Sequence, residues 1–306
     1  MTTLALSNAP INDPSGVLPV VSFVDSVLRP GTLAIFDPAH SLSPLSAVPA
    51  NGDLLPNVVP TAQLNTLLGQ SNVANDYKLV SQVTGLSASV GLLELTPKKA
   101  LNATFTRTNQ VAFARATVGL PDKLRQYILD HLSHQFLFVV ERELTFAAGT
   151  SGIAAGARIP AFVSQSTSSV LSNYHGFQSD TGFTPSSGGN FVGGVVSGAG
   201  HAATGKAFLA LAVGGFTGTV PSLANFTVCA GFGSPPGYQS SPWYNKLSSG
   251  ALYRFVVEDL TASGISFDRA VNGIGQRDSH LEQYSRDFAV GGRWYGDTLR
   301  NPSTLP

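Results

Sequence analysis

The sequence predicts a mainly β protein: a jelly-roll-like antiparallel β-sandwich with two or three short helices and an extended N-terminal arm. Three observations carry that expectation. The 306 residues include 32 Gly and 19 Pro, so the chain is cut into short pieces by turns. Roughly ten of those pieces are β-type apolar runs, several alternating with the period of two that a half-buried strand needs. No self-similar period of about 20–50 residues appears, which sets solenoids and propellers aside.

Taken in order, residues 1–20 are rich in Pro, Asn and Asp and read as an extended lead. Val20–Leu28 and Thr32–Phe36 are β-type runs split by the turn signal Arg29-Pro30-Gly31. Asp37–Pro60 holds five prolines and little periodicity. It runs extended, either as a linker or as an arm that gains order by lying on a neighbouring subunit. Residues 1–60 are therefore assigned to an arm, 61–290 to one sandwich domain and 291–306 to an irregular tail.

Thr61–Gly69 reads as a short helix with Gly69 as its stop. Strands follow at Lys78–Thr84, Ser87–Leu95, Leu101–Arg107 and Val111–Val118; in the third, Leu101, Ala103 and Phe105 alternate with Asn102, Thr104 and Thr106. Asp122–His134 has the clearest helical stripe, Leu124, Tyr127, Ile128 and Leu132, with Asp122 after Pro121 as its N-cap. Phe136–Phe146 is a long strand, and further strands fall at Ile159–Val163, Lys206–Val213, Phe226–Ala230 and Ala251–Leu260. Ser164–Gly205, dominated by Ser, Gly and Thr, reads as a set of long loops. Ser279–Phe288 is a second short helix, with the capping pair Ser279 and Glu282 and a stripe of Leu281, Tyr284 and Phe288.

Charge narrows the function classes. Asp, Glu, Lys and Arg make up 12% of the chain, against about 25% in an average soluble domain. Eighteen basic residues balance eighteen acidic ones without any run of one sign, so the footprint of a nucleic-acid binder is missing. A surface of Ser, Thr, Asn, Gly and Ala with zero formal charge does little to keep copies apart, which suits a subunit that assembles. The N-terminus lacks a basic n-region and a long apolar core, and the longest apolar runs fall far short of the ~20 residues of a membrane helix. The expectation is a soluble product made in a cytoplasm, without membrane insertion.

Catalytic and metal motifs are sparse. His40, His131, His134, His175, His201 and His280 are scattered, and only His131 and His134 share a helix face. No HExxH frame surrounds that pair, so a zinc site is its lesser reading; the leading one is partly exposed helix-end histidines placed against the negative end of the helix dipole. Glu141 and Glu143 lie on one face of a strand, read as its solvent side, with Arg142 on the other. They are the modest candidates for a polysaccharide-degrading pair. Glu258 and Asp259 point to opposite faces and make a poor pair. Gly188–Gly198 lacks the Lys and Ser/Thr of a phosphate loop and reads as a flexible surface loop. Cys229, the only cysteine, reads as a buried apolar residue. No cofactor and no metal is expected.

Aromatic residues offer the other chemistry. Trp243 and Tyr244 beside Tyr238 and Gln239, and Trp294 and Tyr295 beside Arg293 and Asp297, are the candidate glycan-binding groups. The competing reading of each is a buried aromatic anchor, which at Trp294 pins the C-terminus to the sandwich or to a neighbour.

One set of residues carries a resemblance. It comprises Leu252-Tyr253-Arg254-Phe255-Val256-Val257-Glu258-Asp259-Leu260-Thr261, then Ser263-Gly264, the closing Gly291-Gly292-Arg293-Trp294-Tyr295-Gly296-Asp297-Thr298 and Asn301–Pro306. Leu54-Leu55-Pro56-Asn57 and the helix-then-strand unit Asp122–Phe146 belong with it. In these the chain resembles poorly characterised virion proteins of tailed bacteriophages. The resemblance implies a jelly-roll or lectin-like sandwich and a structural role in the tail, baseplate or fibre region, or in decorating the head. It implies copies of the chain and other virion proteins as partners, with a host surface glycan as the alternative ligand, and it supplies no active site.

Overall fold

The computed structural model describes residues 25–41, 44–108, 111, 114–146, 163–167, 170–177, 185–188, 194–200, 205–214, 220–234, 247–273 and 278–305. The strands are β1 (Thr32–Phe36), β2 (Leu54–Leu55), β3 (Leu79–Thr84), β4 (Gly91–Leu95), β5 (Leu101–Phe105), β6 (Arg115–Gly119), β7 (Gln135–Phe146), β8 (Val163–Thr167), β9 (Val170–Phe177), β10 (Pro185–Gly188), β11 (Gly194–Gly200), β12 (Gly205–Gly214), β13 (Phe226–Thr227), β14 (Cys229–Gly233) and β15 (Ser249–Asp259). The helices are α1 (Thr61–Leu68), α2 (Asp122–Asp130), α3 (Leu260–Ser263), α4 (Phe267–Val271) and α5 (His280–Phe288). The chain is mainly β, and its pairings are antiparallel throughout the described strands.

Seven strands form the main sheet in the order β11-β12-β7-β15-β5-β4, with β1 also on β15. A four-stranded sheet, β14-β6-β3-β2, packs on it where β14 meets β15, giving two layers. A third sheet has the order β10-β9-β8-β13. β15 is central because its first half lies between β7 and β5 and its second half between β7 and β1. All eleven of its residues are buried.

The register of β7 on β15 slips by one residue: Leu252 faces Arg142, and Arg254 faces Glu141. Tyr253 is the extra residue of a β-bulge, and a bulge switches the face on which the following residues point. Simple alternation would place Arg254 with Leu252 and Arg142. The bulge moves it to the face of Glu141, and everything about the polar interior follows from that switch.

The N-terminal arm does not extend through residue 60. Val27, Leu33, Ala34, Ile35, Phe36, Leu45, Leu55 and Val59 are all buried in the main core. The proline-rich stretch is ordered by one side chain. Asn57 Nδ2 donates to the Leu33 and Tyr77 carbonyls, and its Oδ1 accepts from the Ile35 and Val59 N–H groups. An asparagine can satisfy backbone groups in this way where proline prevents a ladder. The body thus begins by Asp25; residues 1–24 lie outside the described ones.

Other expectations are corrected in the same way. Ser164–Gly205 is not a set of loops but carries β8 to β11, and part of Gly188–Gly198 is the strand β11 paired along β12. α2 is capped by Pro121 without a side-chain bond, while Asp122 is its first residue and pairs with Arg125; the helix stops at Asp130. The expected strand at Val20–Leu28 is a turn over its described end, and α3 and α4 were not foreseen. Residues 291–305 are irregular as expected, with a 3-10 turn at Pro302–Thr304, and they are fastened to the main sheet: Arg300 pairs with Glu94, and Thr96 donates to Asp297 at 2.6 Å. Gly69 ends α1 in the left-handed conformation the sequence predicts. No described helix is long and apolar enough to cross a membrane.

Candidate functional site

A central strand that carries Tyr, Arg, Glu and Asp must find partners for them, because buried polar groups without hydrogen bonds are costly. β15 finds them on both faces. On one face Arg254, fully buried, lies 2.7 Å from Asp25, 3.2 Å from Asp37 and 3.9 Å from Glu141. Its contact with Asp25 is the shortest of the three. Arg293 closes the cluster, pairing with Asp37 and, at 2.7 Å, with Asp287. Three distant segments are tied together here: the approach to β1, the central strand, and the stretch after α5.

Electrostatics divide the acids of this cluster. Burial alone would raise the Asp25 carboxyl, but the Arg254 charge and bond, the Val27 N–H and the Arg293 charge together hold it below its ordinary range. Burial pushes Glu141 up to about 8, against the pull of Arg254. Glu141 is therefore largely protonated at neutral pH. The Asp25 and Asp37 carboxylates above all raise the Arg254 guanidinium above its usual value despite its burial.

Further along the same face, Glu258 accepts from Arg29 at 2.8 Å and from the Ser263 hydroxyl at 2.6 Å, and His280 lies 3.6 Å away. Burial opposes the Glu258 charge, yet His280 and Arg29 hold its pKa below normal; His280 in turn is lowered by its own burial. Gly31 makes the approach possible, since a Cβ there would sit 2.1 Å from the Asp259 carbonyl.

On the other face Asp259 anchors α2 and α3. Its Oδ2 accepts from the Tyr127 hydroxyl at 2.9 Å and contacts His134 Nδ1 at 2.6 Å, while its Oδ1 accepts from Ala262 N–H at 2.9 Å as the cap of α3. Burial and the Asp259 bond raise the Tyr127 phenol. His134 keeps 27% of its side chain exposed and so connects this buried carboxylate to solvent.

The structure separates the residues that the sequence singled out. Glu141 and Glu143 share a face, but that face is not solvent: it is covered by α5 and the segment after it. Glu141 is fully buried beside Arg254, and Glu143 accepts from the Tyr253 hydroxyl at 3.0 Å. Glu258 and Asp259 do point to opposite faces and serve different clusters. Trp294 is fully buried, its ring 4.9 Å from Tyr253, so it is an anchor and presents no face to a sugar. Arg293 is engaged with Asp37 and Asp287, and Tyr295 remains 48% exposed. Tyr238, Trp243 and Tyr244 lie outside the described residues. Cys229 is buried. Among the described residues, no group of three or more His, Cys, Asp or Glu side chains is placed to hold a metal.

Asp25, Asp37, Arg254 and Tyr127 escaped the sequence reading. The signal for Arg254 was its position between Tyr253 and Phe255 in an apolar run, where a cation needs a buried counter-charge. No family model, no curated protein and no solved structure matches the chain.

Proposed function

We propose that this chain is a non-enzymatic structural subunit of a tailed-phage virion, placed in the tail, baseplate or fibre region or decorating the head, and that it assembles with copies of itself. The observation that carries the reading is where the charges are. Asp25, Asp37, Glu141, Arg142, Arg254, Glu258 and Asp259 are all buried, in a chain whose charged fraction is only 12%. The ionisable groups are spent on joining segments, and the exterior is left with fewer still. Such a surface offers little repulsion between copies and a low desolvation cost on contact. The short motifs in which the chain resembles virion proteins, Leu252–Thr261 and Gly291–Thr298 above all, support the same reading; they are the central strand and the segment that packs on it.

Size-exclusion chromatography with light scattering, together with localisation in purified particles, tests the proposal. It expects a discrete oligomer and a fixed position in the particle. A monomer at high concentration that is absent from particles overturns it.

A further inference from the structure

The C-terminal end of α2 brings His131 and His134 together, with ring centroids 4.9 Å apart. Each ring has its Nδ1 committed to an acceptor. His131 Nδ1 lies 2.8 Å from the Tyr127 carbonyl, and His134 Nδ1 lies 2.6 Å from the Asp259 carboxylate. A carbonyl and a carboxylate oxygen can only accept, so both Nδ1 atoms carry the proton. In the neutral ring this fixes the tautomer and leaves a lone pair on Nε2. Neither Nε2 has a hydrogen-bond partner among the described residues.

We propose that His131 Nε2 and His134 Nε2 form a binding site for a borderline divalent cation such as Zn2+, with water in the remaining positions. The spacing fits. A metal–nitrogen bond of about 2.0–2.1 Å and a near-tetrahedral angle put two Nε2-bound imidazole centroids about 5 Å apart. The outer shell is already in place. Metal-binding histidines donate their other N–H to a carboxylate or a backbone carbonyl, and here one does each. Asp259 is itself held by Tyr127 and Ala262, which fixes the orientation of the His134 ring.

The rings are braced as well. His131 stacks on Tyr127 at 4.1 Å, and His134 stacks on Phe136 at 6.3 Å. His131 is also the C-cap of α2, where the helix dipole favours positive charge. Both rings are half-buried and so within reach of solvent. No third protein ligand stands among the described residues, so the site is open rather than a closed structural centre. Nitrogen donors select Zn2+, Ni2+ or Cu2+ over Mg2+ and Ca2+.

The test is calorimetric titration of the full chain with Zn2+, repeated with Mg2+ and with the variants His131→Phe and His134→Gln. His131→Phe keeps the stacking on Tyr127 but loses the Nδ1 bond to the Tyr127 carbonyl as well as Nε2, so its fold is checked by circular dichroism before titration. One-to-one Zn2+ binding that either variant weakens about tenfold or more, with no response to Mg2+, is the expected result. An isotherm that neither variant changes, or a folded wild-type chain that does not respond to Zn2+, overturns the proposal.

Discussion

Glu141 and Arg142 are neighbours on β7, both buried, and the sheet sends them to opposite faces. Glu141 enters a polar interior in which Arg254, Asp25, Asp37 and Arg293 compensate one another. Arg142 enters an apolar one. Its cross-strand neighbours are Ala207 and Leu252, none of its three side-chain nitrogens has a hydrogen-bond partner among the described residues, and burial brings its pKa down to about 10. Equal burial therefore carries opposite meaning for two guanidinium groups. Arg254 joins segments, whereas Arg142 meets no acceptor among the described residues; Asp259, further along the Arg142 face, is a joining charge again.

That contrast sets a series of expected effects. The largest is at Arg254. Arg254→Ala leaves Asp25 buried without its counter-charge and Asp37 with Arg293 alone, and urea denaturation should show a loss of about 3–5 kcal/mol. Trp294→Ala comes next, because it empties the space against Tyr253 and Phe288; about 3–5 kcal/mol is expected, with residues 291–305 gaining fast amide exchange. Arg142→Met should do the reverse. It removes an unpaired cation and fills similar volume, so stability should rise by about 1–4 kcal/mol; a loss of that size would mean that Arg142 has a partner in solution.

Glu141→Gln has the smallest effect at pH 5, and that effect grows with pH. The folded chain keeps the Glu141 proton up to about 8, whereas the unfolded carboxyl loses it near its ordinary value of 4.5. The folded state thus binds more protons across that window, and stability falls as pH rises through it. Relative to wild type, the Gln variant should be nearly neutral at pH 5 and should gain ground by pH 8. A difference that does not change with pH would place Glu141 in a wetter setting.

The parts of the fold legible in the sequence were those decided locally. β1 matches its apolar run, Gly69 stops α1, and β5, β7 and β12 fall on alternating or continuous apolar stretches. What escaped was decided at long range. The order of Asp37–Pro60 depends on Asn57 bonding to Leu33 and Tyr77, about twenty residues away on either side. β10 and β11 are strands because of what they pair with, and their Ser- and Gly-rich sequences gave no sign of it. The bulge at Tyr253 reverses the face of Arg254, so alternation read along the chain gives the wrong answer there. The closeness of His131 and His134 was visible in their spacing; the carboxylate that orients His134 stands 125 residues further on.

The central claim is that the chain from Asp25 onward is part of its own body, held there by Arg254. A double-mutant cycle with Asp25→Asn and Arg254→Met, read by denaturant unfolding, tests it most directly. The account predicts a coupling of about 1–3 kcal/mol between the two sites. Strictly additive losses would contradict it, and would return the first sixty residues to the status of an arm.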